Sequence, residues 1–135
     1  EACTFLLNTE NHLGCLETGI IDFAYSDIVF QHIAPRDSKR YFLEIARVLR
    51  PGGVFVFQLP SHLLKGSALR KRLHYASKAL RQKLGLGKAY FEMNAIPCRT
   101  LIRYLEETAG LAHVDHWDYP AAGPNWQSYL YAFRK

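Results

Sequence analysis

Residues 21–60, IDFAYSDIVFQHIAPRDSKRYFLEIARVLRPGGVFVFQLP, decide the fold. Ile20–Ser26 is a short and mostly apolar run, residues 37–50 carry apolar side chains at helical spacing, and Gly53–Leu59 is apolar almost throughout. A continuous apolar run suits a strand buried on both faces of a parallel sheet, so the stretch predicts one strand–helix–strand unit. Tyr41, Phe42, Ile45, Val48 and Leu49 form one face of the helix, with Lys39, Arg40, Glu44, Arg47 and Arg50 mostly off it. Pro35 sits where a helix begins, and Asp37 or Ser38 is expected to cap it. Pro51 cannot continue the helix, and Gly52-Gly53 allow the positive φ that a turn back into the sheet demands.

Outward from this unit, Cys3–Leu7 is apolar enough for a strand, and residues 8–12 have loop chemistry. Beyond Pro60, Leu69, Leu73, Ala76, Leu80 and Leu84 recur at intervals of three and four with basic residues between them. That pattern predicts an amphipathic basic helix over 63–84, stopped by Gly85-Leu86-Gly87. Pro97 opens a further helix to about Thr108, with Leu101, Ile102 and Leu105 facing inward and Gly110 as its stop. Residues 111–117 and 128–134 are strand candidates on either side of the turn-rich segment 120–125.

The 135 residues fit one domain with an ordinary core, and no window approaches the roughly 18 apolar residues of a membrane span. The formal net charge of +5 is concentrated: residues 45–91 contain no acid, yet include Arg47, Arg50, Lys65, Arg70, Lys71, Arg72, Lys78, Arg81, Lys83 and Lys88. Cys3, Cys15 and Cys98 are widely spaced and match no CxxC or Cys/His ligand pattern. They read as reduced thiols of a cytoplasmic protein. His113 and His116 stand near Asp115 and Asp118 without a second ligand cluster, so no metal site is assigned.

Asp22 near the start of the first strand, Ser26-Asp27-Ile28-Val29-Phe30-Gln31-His32 at its end, and Leu49-Arg50-Pro51-Gly52-Gly53 before the next strand together carry a family pattern. The chain resembles the second half of the class I S-adenosylmethionine-dependent methyltransferases of the small-molecule kind. The resemblance implies an α/β fold: a partial Rossmann-like sheet, mostly parallel, flanked by helices and closed by a C-terminal antiparallel hairpin. In that scheme Cys3–Leu7, Ile20–Ser26 and Gly53–Leu59 are the family's third, fourth and fifth strands, and the last strand inserts between the fifth and sixth. Residues 1–135 would form a single domain, N-terminally incomplete, with 63–96 as a substrate-side insertion. The resemblance covers nearly all of this chain but only about the latter two-thirds of the family's fold, which implies a piece of a longer methyltransferase.

The resemblance also implies a cofactor, S-adenosylmethionine, and a small-molecule methyl acceptor. His12-Leu13 stands where the family often has an Asp-Leu pair meeting the adenine amine, so Asn11 or the backbone of His12 and Leu13 would take that contact. Ser26, Asp27 and Ile28 would line the methionine side. His32 would face cofactor or substrate, as a base with an unperturbed pKa near 6.5 or as a structural anchor of its loop. Ser61 and His62 fall on the substrate side, although His62 reads first as an exposed loop residue. The glycine-rich turn after a first strand, and the acid that ends the second, have no counterpart among these residues. Without a first strand beside it, Ile20–Ser26 would be an apolar edge open to self-association. The basic segment reads as a substrate lid or wall, as a solvated helix face, or as a nucleic-acid or membrane-surface contact. The expected activity is methyl transfer to a small molecule. The alternatives are a non-catalytic binding module of degenerate methyltransferase fold, or a nucleic-acid methyltransferase using the basic helix.

Overall fold

The computed structural model describes residues 3–10, 12–64 and 93–135. Among them, four strands form one sheet: β1 (Ile21–Ser26), β2 (Leu49–Leu63), β3 (Ala112–Asp118) and β4 (Trp126–Arg134), in the spatial order β1-β2-β4-β3. β1 and β2 are parallel, whereas β4 is antiparallel to both β2 and β3. β1, β2 and β3 therefore point the same way, and their carboxyl ends share one edge of the sheet. The last strand lies between β2 and β3, as the methyltransferase resemblance implied.

β2 alternates its side chains as a central strand must. Phe55, Phe57 and Leu59 face a core that they share with Phe133 and Tyr131, the register partners of Phe55 and Phe57 on β4. Two helices cover this face, α1 (Pro35–Val48) and α2 (Cys98–Glu107). Phe42 of α1 brings its ring to 5.0 Å from Phe57 and 4.8 Å from Phe30, and Phe55 and Phe57 stack at 4.4 Å. Leu101 and Leu105 of α2 complete the cluster. The helices meet where the Tyr104 hydroxyl donates to the Lys39 carbonyl and the Lys39 ammonium lies 4.9 Å from the Tyr104 ring centre. On the opposite face, Phe23 and Tyr25 of β1 are 58% and 57% exposed beside their partners Val54 and Val56.

Several sequence expectations need correction. Cys3–Leu7 forms no strand, and Phe5 and Leu7 are 94% and 90% exposed. Apolar composition alone does not make a strand; among the described residues no neighbouring strand offers this segment a ladder. The helix runs two residues earlier at each end than the expected 37–50. Its N-cap is Ala34, whose carbonyl accepts from the Asp37 and Ser38 amides. Neither Asp37 nor Ser38 caps it by side chain, because the Ser38 hydroxyl turns back to the Ile33 carbonyl at 3.4 Å. The Leu49–Gly53 turn lies inside β2, as an irregularity between the pairs Ile21↔Leu49 and Phe23↔Val54. Gly52, at φ +81°, donates its amide to the Lys135 carbonyl, and Lys135 returns its own amide to Gly53. Ser61 and His62, expected after the strand, belong to β2 itself. The basic helix expected over 63–84 falls almost wholly outside the described residues.

Gly53 is the tightest point of this bulge. A β-carbon there would lie 2.9 Å from the Arg50 carbonyl oxygen and 3.0 Å from that of Ile21, both backbone atoms with little room to yield. Gly53→Ala is expected to destabilise the chain by about 1–3 kcal/mol through overpacking. Chemical denaturation checks this against Gly19→Ala, where φ is +73° and the space is open, so only the backbone penalty of about 1 kcal/mol applies.

Candidate functional site

The carboxyl edge of the sheet collects the polar groups that the core excludes. Asp27 follows β1, and the next residue, Ile28, sits at φ +61°, a left-handed conformation that a β-branched side chain disfavours. Asp27 Oδ2 accepts a 3.1 Å hydrogen bond from the hydroxyl of Tyr119, at the end of β3. Tyr119 is itself fixed by its amide, which donates to the Ser128 carbonyl. The bond to Asp27 holds the Tyr119 phenol above its ordinary pKa, with the charge of Asp27, burial and Tyr25 adding to the effect. The other oxygen, Asp27 Oδ1, is buried with no hydrogen-bond partner. Such an oxygen forgoes a favourable interaction unless a ligand supplies the donor.

A second network runs beneath it. Gln58, fully buried in β2, donates from Nε2 to Ser128 Oγ at 2.6 Å and to Gln31 Oε1 at 3.3 Å. The Gln31 amide nitrogen then lies 3.1 Å from His32 Nε2. With Gln31 as donor, His32 Nε2 is the acceptor and the ring proton sits on Nδ1. Gln58 Oε1 is a second buried acceptor without a partner. Ser61, also buried, accepts from the Cys98 amide at 2.9 Å and so serves the start of α2, while its neighbour His62 is exposed and lies 3.2 Å from the same oxygen.

The other expected cofactor residues are held elsewhere. Arg47, in the last turn of α1, donates to the carbonyls of Leu13 and Leu16 and to Thr18 Oγ1, and pairs with Glu44 at 2.9 Å. Glu44 in turn accepts from the Leu13 amide. His12 accepts from the Gly14 amide and lines an open cavity of about 420 Å³ with Arg40, Leu43 and Glu44. Asn11 lies outside the described residues. Thus Ser26, Asp27, Ile28 and His32 share the carboxyl edge with Ser61 and His62, whereas His12 and Leu13 are pinned to the second half of α1.

Sequence reasoning passed over Tyr119, Gln31, Gln58 and Ser128. Gln58 carried a readable signal, since a polar residue inside an otherwise apolar strand needs a partner when buried. Tyr119 carried none, because its role depends on β3 ending across the sheet from β1. A cavity of about 330 Å³ opens here, lined by Leu64, Asp118, Tyr119, Pro120, Gly123, Pro124, Trp126, Gln127 and Ser128. Of the described ends of the 63–96 segment, Leu64 lines it and donates its amide to the Asn125 carbonyl, while the other end is tied by the Asn94 amide to the Gln31 carbonyl and by the Ile96 amide to the Pro60 carbonyl. Elsewhere, an irregularity between His113 and Asp115 brings His116 Nδ1 to 3.1 Å from His113 Nε2. The described residues contain no group of three or more side chains able to hold a metal.

The Glu44–Arg47 pair makes the His12 loop sensitive to acid. The hydrogen bond from Arg47, against an opposing contribution from burial, lowers the Glu44 pKa, and the Leu13 amide lowers it further. A carboxyl with a lowered folded pKa stabilises above its unfolded value and loses that contribution as pH falls through the folded one. Glu44→Gln should therefore flatten the acid side of the stability profile below about pH 4.5, read by urea denaturation from pH 7 to pH 3.

Residues 2–57 match the family model described as a methyltransferase domain. No curated protein sequence matches the chain. Among solved structures, a SAM-dependent methyltransferase of Methanosarcina mazei superposes with a TM-score of 0.68 at 15% identity, covering 93% of this chain and 63% of that one. The 1,6-didemethyltoxoflavin-N1-methyltransferase of Burkholderia thailandensis, solved with 1,6-didemethyltoxoflavin and S-adenosylhomocysteine, gives 0.56 at 15% identity, covering 87% of this chain and 45% of that one. A geranyl diphosphate methyltransferase, in complex with GPP and sinefungin, also gives 0.56 at 15% identity, over 88% and 48%. The chain thus spans less than two-thirds of these structures. The class I methyltransferase resemblance read from the sequence is borne out by the family match and by the fold.

Proposed function

We propose that this chain, whose fold is that of the class I S-adenosylmethionine-dependent methyltransferases, is the acceptor-side part of an enzyme that methylates a small molecule. The observation that carries the reading is the carboxyl edge, where two buried, unpartnered acceptors, Asp27 Oδ1 and Gln58 Oε1, belong to side chains bonded to Tyr119 and Ser128, which line a cavity of mixed apolar and polar walls. Ligands of open α/β sheets lie beyond the carboxyl ends of the strands. The 63–96 insertion leaves and re-enters at this edge, which supports its role as a wall or lid over the acceptor.

The residues present fit part of the cofactor. Asp27, Ser26 and Ile28 would hold its amino-acid end, where a buried carboxylate oxygen awaits a donor. His12 and Leu13, with Asn11, are the candidates for the adenine end. The bound cofactor supplies a sulfonium methyl group for in-line displacement. The chain's own work is to align the acceptor and exclude water. His32, with the Gln31 amide donating to its Nε2, would be held in one orientation at this edge; Ser61 accepts from the first amide of α2, and His62 is exposed. A cytoplasmic location accords with three free cysteines, and no described helix is long and apolar enough to cross a membrane. A nucleic-acid acceptor has less support, since the Asp118 carboxylate lines the cavity and would repel phosphate.

S-adenosylhomocysteine should bind the chain more weakly than micromolar, because among the described residues no glycine-rich turn leads from a strand into a helix. Titration followed by NMR would show shifts at Asp27 and Ile28. Complete absence of shifts at the carboxyl edge would remove the reading. The edge of β1 that no other described strand pairs, with Phe23 and Tyr25 exposed beside it, is also proposed to pair with a second copy. Sedimentation velocity should show mass rising with concentration, and Phe23→Lys should restore the monomer.

A further inference from the structure

We infer that His113 and His116 form a two-histidine site for a divalent transition ion of the zinc class, set on β3 at the margin of the helix-covered face of the sheet. On a regular strand, residues three apart stand on opposite faces. β3 is not regular here: Val114 is an extra residue between the pairs His113↔Phe133 and Asp115↔Ala132. A bulge of this kind re-aims the side chains that follow it. His116 is thereby returned to the face of His113, with Tyr131 as its register partner. The two rings converge, and His116 Nδ1 lies 3.1 Å from His113 Nε2.

That separation suits two ligands of one ion. Nitrogens 3.1 Å apart, each about 2.0–2.1 Å from a shared ion, subtend about 98° there, between the tetragonal and tetrahedral arrangements of imidazole-bound metals. With no ion between them, the rings share one hydrogen. Binding moves it to the other nitrogen of its own ring, so that two neutral imidazoles present their lone pairs. The rings are also braced beforehand: His113 meets the Phe133 ring edge-on at 5.3 Å, and His116 lies against Tyr131 at 5.8 Å and Tyr129 at 5.2 Å. Ligands already held in place lose less freedom on binding. Asp115 Oδ1 accepts from the His116 amide at 2.7 Å and steadies the backbone between the two rings. Among the described residues no third His, Cys, Asp or Glu joins the pair, so water completes the coordination. Both rings are half-buried, which leaves a path for the ion and its water. The site is independent of methyl transfer; an ion there clasps the two sides of the β3 bulge.

Zn²⁺ is titrated into the full 135-residue chain, with the histidine rings isotopically labelled for NMR and a buffer that does not chelate. The ring nitrogens of His113 and His116 should shift together and saturate at one ion per chain, whereas Mg²⁺, which prefers oxygen ligands, should move neither. His113→Gln and His116→Gln should each lower the Zn²⁺ affinity at least tenfold, because removing one ligand discards the gain from linking two. The ion should raise the unfolding midpoint of the unaltered chain and leave that of the folded variants nearly unchanged. Circular dichroism establishes that the variants fold; should either fail to, the ring shifts of the unaltered chain decide alone. Rings unmoved in excess Zn²⁺ reduce the pair to a hydrogen bond and overturn the inference. Zn²⁺ held equally well by both folded variants, through the exposed thiols of Cys3 and Cys15 or through other histidines, overturns it as well.

Discussion

β2 is hydrogen-bonded along both edges, to β1 on one side and β4 on the other, and this double pairing organises the rest of the molecule. A strand satisfied on both sides can be apolar on both faces without leaving backbone groups stranded. Phe55 and Phe57 can then serve as the floor on which Phe30, Phe42, Tyr131 and Phe133 pack as one aromatic cluster. Both described helices join that cluster, so the core lies on one side of the sheet. The other face of β1 is left to Phe23 and Tyr25, half of whose surface meets solvent.

The same geometry separates packing from chemistry. Because β1, β2 and β3 run in one direction, the residues that follow them are delivered to a common edge although they are far apart in sequence. Asp27 and Tyr119 are separated by 92 positions and meet in a hydrogen bond. Gln31, Gln58 and Ser128 come from a loop and two strands and form one buried chain of polar contacts that ends at His32. Polar groups in such surroundings are strong when satisfied and costly when not. The two acceptors left unsatisfied are therefore the most informative atoms of the edge.

How much of this was legible beforehand depended on the range of the interaction. β1, α1 and β2 followed from local patterns: an apolar run, a helical stripe and a Pro-Gly-Gly break. α2 was readable from Pro97 and Gly110, whose φ of +65° does reverse the chain. Local pattern misled at Cys3–Leu7, where strand composition lacks a ladder partner, and at the helix start, where Ala34 and Pro35 provide the boundary that Asp37 and Ser38 were expected to provide. The order of the last two strands came from family resemblance, since nothing in their composition says which one lies inside. Asp27 was found through its place after a strand. Its partner Tyr119 was not, because pairing residues across a sheet requires knowing the sheet.

The β2–β4 ladder joins Val54 to Arg134 and Leu63 to Trp126, and everything between those strands is a closed loop. Folding must bring together segments distant in the chain before the ladder can reward it, which predicts slow formation and makes β2–β4 contact the decisive step. Once closed, the loop's length matters little: each doubling costs only about 0.6 kcal/mol of closure entropy. The segment that leaves β2 beside the cavity can thus lengthen, shorten or change composition at small cost to the core. A scaffold of this kind can vary that one insertion while the aromatic floor beneath it stays as it is.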